Sequence, residues 1–126
     1  MDQNTEAKPV ERSPWPLLGF LAATAAGLAI AFGPPSFEPW QMRLLHIAVF
    51  VPWTLTLSAT WRRTLRWSPS LARELTVAVL AAVVAEVLQT WLPPHIPDWQ
   101  GLSASLAGVA LAGTILWRPK RKGDPK

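Results

Sequence analysis

The chain has 126 residues, 50% of them hydrophobic and only 16% charged, with a net charge of +4 and no cysteine. An ordinary soluble domain carries about 25% charged residues, and the absence of thiols excludes disulfides and thiolate metal sites. The basic surplus lies between and after long apolar stretches, so it reads as a membrane-orienting signal and not as a nucleic-acid surface.

The first stretch, Trp15 to Phe32, holds no charged residue. It follows Lys8 and Arg12 and is near the length that crosses a hydrocarbon layer of about 30 Å at 1.5 Å per residue. A cleaved signal peptide is the rival here, because Ala23-Thr24-Ala25 resembles a cleavage site. The acidic Asp2, Glu6 and Glu11 and the apolar continuation to Phe32 favour a retained span. The second stretch, Leu44 to Trp61, is interrupted only by His46. Within it Pro52 frees the carbonyl of Ala48, which predicts a kink, and Thr54, Thr56 and Ser58 are hydroxyls able to satisfy freed backbone groups. In the third, Leu75 to Leu92, Glu86 is the single charge, and the fourth, Leu102 to Trp117, has none. The first and fourth stretches lack the polar face that a water-exposed helix requires. The expected fold is an all-α membrane protein: a four-transmembrane-helix bundle over residues 14–118, with spans at about 15–32, 44–61, 75–92 and 102–117. A disordered tail (1–13) precedes it and a basic tail (119–126) follows.

Charge sets the orientation. Arg62, Arg63, Arg66 and Arg73 lie between the second and third stretches, and Arg118, Lys120, Arg121, Lys122 and Lys126 follow the fourth. Four spans therefore place eleven of the twelve basic residues on one side, with both termini cytoplasmic. Seven of the eight tryptophans sit at or just beyond a span end, as interfacial anchors do, and only Trp53 is central. Prolines mark the turns, from Pro34-Pro35 to Pro93-Pro94.

Small residues recur every four positions as Gly19, Ala23, Gly27 and Ala31 in the first span and as Ala104, Gly108 and Ala112 in the fourth. Ala78, Ala81, Ala82 and Ala85 form a ridge in the third. Such ridges let helix backbones approach closely, which favours a compact bundle.

Glu86 continues the Ala78–Ala82 row and Gln89 the Ala81–Ala85 row, so both face the bundle interior. An acidic group in a span costs up to about 2.5–3.5 kcal/mol on insertion scales and needs a partner, water or a proton. Arg43 and His46, one turn apart at the start of the second span, and His95 and Asp98, in the loop after the third, belong to the same extracytoplasmic end. The six residues Arg43, His46, Glu86, Gln89, His95 and Asp98 form the candidate binding cluster. The bland reading makes Glu86 polar glue, paired with Arg43 or bonded to His46. No catalytic or metal residue is assigned, because the spacing matches no ligand motif and neither Ser103 nor Ser105 has a base beside it. No cofactor is expected, although His46 is a position from which a pigment or haem could be ligated.

This layout resembles the VanZ-like family of small bacterial membrane proteins over roughly residues 41–113, through "RLLHIAVF" and "AEVLQTWLPPHIPDWQGLSASLAG". The family pattern has a histidine opening one span and Glu-x-x-Gln closing another. A proline-bearing loop with an arginine follows, then Asp-Trp, then an Asp and an Asn before a glycine. His46, Glu86, Gln89, Asp98-Trp99 and Gly108 match, whereas His95, Gly101 and Ser105 stand in place of the arginine, the second aspartate and the asparagine. The resemblance implies a multi-pass protein of the bacterial cytoplasmic membrane connected with the cell envelope. Minimal loops, the ridges and the altered cluster lead to the expectation of a non-enzymatic accessory subunit, docked on other membrane helices in, for example, a photosynthetic or respiratory assembly. The alternative is an envelope factor, related to antibiotic resistance, that binds or processes an anionic lipid-linked headgroup through Arg43 and His95. A proton-coupled transporter is a third option, weakened by the single intramembrane carboxylate.

Overall fold

The computed structural model describes residues 13–32, 37–65, 70–91 and 99–117. The described chain is helical almost throughout: α1 (Trp15–Phe32), α2 (Pro39–Ala59) continuing into a π-helical segment (Thr60–Thr64), α3 (Leu71–Thr90) and α4 (Trp99–Leu116). α1 coincides with the first expected span. The other three helices begin earlier than hydropathy suggests, and at α2 and α3 capping and not apolarity sets the first turn. At α2, Gln41 Oε1 accepts the Glu38 backbone N–H at 2.9 Å and Pro39 occupies the first turn. At α3, Ser70 Oγ faces the Arg73 backbone N–H at 3.5 Å, and Glu74 in the first turn is favourable to the helix dipole. Arg43 therefore lies within α2 with His46, and Arg73 and Glu74 lie in α3.

Among the described residues three helices are long and apolar enough to cross a membrane: α1, α2 with its π extension, and α4. α3 is 20 residues long, but any 18-residue window of it contains Arg73, Glu74 and Glu86.

α2 is the central element. It packs most extensively on α4, then on α1, while α3 leans chiefly on α4 and touches α1 least. Small residues permit the α2–α4 approach. The buried positions of α4 are Gly101, Ala104, Ser105, Gly108, Val109, Ala112 and Gly113, one stripe at helical spacing. A Cβ on Gly108 would stand 3.0 Å from Phe50 Cβ and 3.1 Å from the Ile47 carbonyl oxygen, so α2 backbone occupies that space. On α1, Gly19 faces Thr56 and Gly27 faces Val49. The ridges are thus used inside the bundle. α2 runs through Pro52 without a break, and Thr56 Oγ1 donates to the Pro52 and Trp53 carbonyls at 2.8 and 3.1 Å.

The distribution of side chains is the reverse of that in water. The largest fully buried side chains are Glu74, Thr54 and Ser58, while Leu18, Leu21, Leu80, Val84, Leu88 and Ile115 are exposed. An apolar exterior of this extent is unsuited to water and suits hydrocarbon.

The π segment settles where the buried charge goes. Leu65 N–H bonds the Thr60 carbonyl at 3.0 Å, five residues back, so the helix widens there. Arg62, on this turn, donates to Glu74 through Nε at 3.0 Å and Nη2 at 2.9 Å, and Ser58 Oγ donates to the same carboxylate at 2.7 Å. Glu74 is only 1% exposed. The two-pronged Arg62 bond ties the end of α2 to the start of α3. Nearby, the Arg73 guanidinium lies 5.9 Å from the Trp61 ring centroid, and Thr64 Oγ1 donates to the Ser13 carbonyl at 3.3 Å, joining this end to the start of α1.

Candidate functional site

Because α1 and α3 barely meet, a cleft of about 260 Å³ opens between them. One face of α2 forms its floor, through Leu45, His46, Val49, Phe50 and Trp53. These residues are spaced at i, i+1, i+4, i+5 and i+8 and so share a side of the helix. α1 supplies one wall with Thr24, Gly27, Leu28 and Ala31, and α3 the other with Ala81, Ala85, Leu88 and Gln89. Gly27 and the alanines keep the walls thin and leave the space open. Leu28, Val84 and Leu88 line the cleft and are also exposed, so its mouth is apolar.

The far end is closed by Trp53. Its indole N–H donates to Thr24 Oγ1 at 2.9 Å, and Thr24 in turn donates to the Phe20 carbonyl at 2.8 Å. The ring is tilted against Phe20 and Phe50, with centroids 5.3 and 6.0 Å away. Trp53, the tryptophan outside the interfacial pattern, thus has a packing role plus one hydrogen bond.

The near end is polar. His46, Glu86, Gln89 and Ser105 all line it. His46 Nδ1 lies 2.9 Å from Ser105 Oγ and 3.2 Å from the Gly101 carbonyl oxygen, and Ser105 Oγ also donates to that carbonyl at 3.1 Å. A carbonyl only accepts, so the Gly101 contact puts the ring proton on Nδ1. Nε2 is the ring nitrogen not engaged with α4. Gly101 makes this possible: a Cβ there would stand 3.4 Å from His46 Cε1 and 3.5 Å from Glu86 Oε2. The same two distances bring His46 and Glu86 to a common point beside α4.

Of the six residues expected to cluster, His46, Glu86 and Gln89 are brought together. Arg43 is exposed and does not line the cleft. Among the described residues the ion pair is Arg62–Glu74 and not Arg43–Glu86. His95 and Asp98 lie outside the described residues. Sequence reasoning did not bring Ser105 or Gly101 to His46, and it did not connect Arg62, placed between two spans, with Glu74 and with Ser58 of the second span. Among the described residues no group of three or more His, Asp or Glu side chains is set to hold a metal ion.

No family model matches the chain, and no curated protein or solved structure does so either.

Proposed function

We propose that the chain is a four-span protein of the bacterial cytoplasmic membrane, with both termini cytoplasmic, that binds a lipid-like molecule in the cleft between α1 and α3 without transforming it. One observation carries this reading: an apolar slot opens laterally between exposed leucines and ends on His46, Glu86 and Gln89. A concave, mostly apolar pocket with a few convergent polar groups is the usual form of a ligand site. On this reading α3 is the fourth span: Glu74 is neutralised by Arg62 near one end, and Glu86 lies near the other, about 18 Å away by helix rise. The three cleft residues are among those that match the VanZ-like pattern, with Asp98-Trp99 and Gly108, and the proposed family and envelope setting go no further than these residues. Of the ridges that suggested an accessory subunit, that of α4 is packed within the bundle and those of α1 and α3 partly line the cleft, which favours a binding protein over a docking one.

The test is purification in mild detergent followed by native mass spectrometry. The unaltered protein should retain a bound lipid-class molecule at fixed stoichiometry, and Ala85→Phe, which fills the cleft from α3, should lose it. If neither protein carries such a molecule, or both carry it equally, the cleft is not a ligand site.

A further inference from the structure

The polar end of the cleft also specifies what kind of head group it accepts. We infer that the occupant is a single-chain lipid ending in an uncharged hydroxyl, and not in a phosphate; this rests on the reading of the cleft as a lipid site. Three observations converge on that chemistry.

The first is the way His46 is held. Nδ1 is engaged by α4 through the Gly101 carbonyl and Ser105, which leaves Nε2 as the ring nitrogen for an occupant of the cleft. A hydroxyl both donates and accepts and so pairs with Nε2 whichever proton the ring carries, whereas an ionised phosphate oxygen only accepts.

The second is charge. No lysine or arginine is among the described residues lining the cleft, and Arg43, the nearest along α2, is exposed. Phosphate recognition draws on guanidinium or ammonium groups or on a set of backbone N–H donors. Here a carboxyl group, Glu86, stands at the same end, and Gln89 beside it can donate to or accept from a hydroxyl.

The third is size and entry. The volume of about 260 Å³ lies just below the usual range of roughly 300–1,000 Å³, which admits one chain and not a two-chain lipid. The mouth between Leu28, Val84 and Leu88 faces the apolar exterior, so the occupant arrives from hydrocarbon.

The experiment uses the full chain in nanodiscs and three photoreactive probes: a diazirine-bearing farnesol, its monophosphate, and the matching hydrocarbon without the hydroxyl. Labelling is mapped by mass spectrometry. The alcohol should label α1 and α3 at the cleft on the order of tenfold more strongly than either of the others, the scale of one net hydrogen bond. His46→Phe should reduce alcohol labelling to the hydrocarbon level, and Arg43→Gln should leave it unchanged. Gln89→Leu, away from the α4 contact, should shift the same preference if His46→Phe does not fold. Equal labelling by alcohol and hydrocarbon, or stronger labelling by the phosphate, overturns the hydroxyl assignment while the cleft reading stands. Absence of cleft labelling by all three probes, or labelling indifferent to Ala85→Phe, overturns both.

Discussion

Removing Arg62 is the most informative perturbation of this fold. The Arg62 side chain is 35% exposed and that of Glu74 only 2%, so the two partners are not equivalent. Arg62→Ala strips two charge-assisted hydrogen bonds from a buried carboxylate and leaves it only Ser58. At roughly 1.5–3 kcal/mol per bond to a charged group the loss is about 3–6 kcal/mol. The partial exposure of Arg62 favours the low end, about 3 kcal/mol, in line with the range for breaking a buried pair. The double variant Arg62→Ala/Glu74→Leu should recover stability relative to Arg62→Ala alone, because no carboxylate then remains to be buried unpaired. The assay is equilibrium unfolding in dodecyl maltoside micelles titrated with SDS, followed by circular dichroism. If the two single substitutions simply add, within about 0.5 kcal/mol, the groups are uncoupled and the account of the α2–α3 junction is refuted.

Three other outcomes follow from the same geometry. Gly108→Ala should destabilise by about 1–3 kcal/mol, since its Cβ would meet the α2 backbone at Ile47. Gly19→Ala, which meets only the Thr56 methyl at 3.3 Å, should cost less, and reversal of that order in the same unfolding titration would show that the α2–α4 crossing is misplaced. Thr54 Oγ1 is fully buried with no hydrogen-bond partner among the described residues, so Thr54→Val should be neutral or stabilising by about 1 kcal/mol, and a clear loss of stability would mean the hydroxyl is in use. Because the chain has no cysteine, single cysteines report topology directly. Asp98→Cys should react with an impermeant maleimide from outside the cell and Lys120→Cys only after the membrane is opened; the opposite pattern would invert the proposed orientation.

Much of the candidate site was legible from periodicity alone. Rows of small residues at spacing four identified the contacting faces, and continuing the alanine rows of α3 placed Glu86 and Gln89 in the interior. Extending the Ala78–Ala82 row one step the other way reaches Glu74, and that signal was available. It was missed because hydropathy ended the span at Leu75, where an unpaired glutamate would be too costly. What makes Glu74 tolerable is Arg62, twelve positions earlier. Arg62 lies on a π turn, and no local pattern in Thr60–Thr64 announces one.

Composition and spacing by themselves determined that this chain is helical, that large apolar side chains cover its outside, and which helix faces are thin enough to meet. Those properties are local, set by residue size and by transfer between water and hydrocarbon. The tertiary arrangement alone decided which partners the polar groups take. Arg43 stays outside, His46 turns its Nδ1 to α4 beside Gly101, and α1 and α3 stand apart enough to leave a cleft, because each outcome depends on contacts between segments distant in sequence.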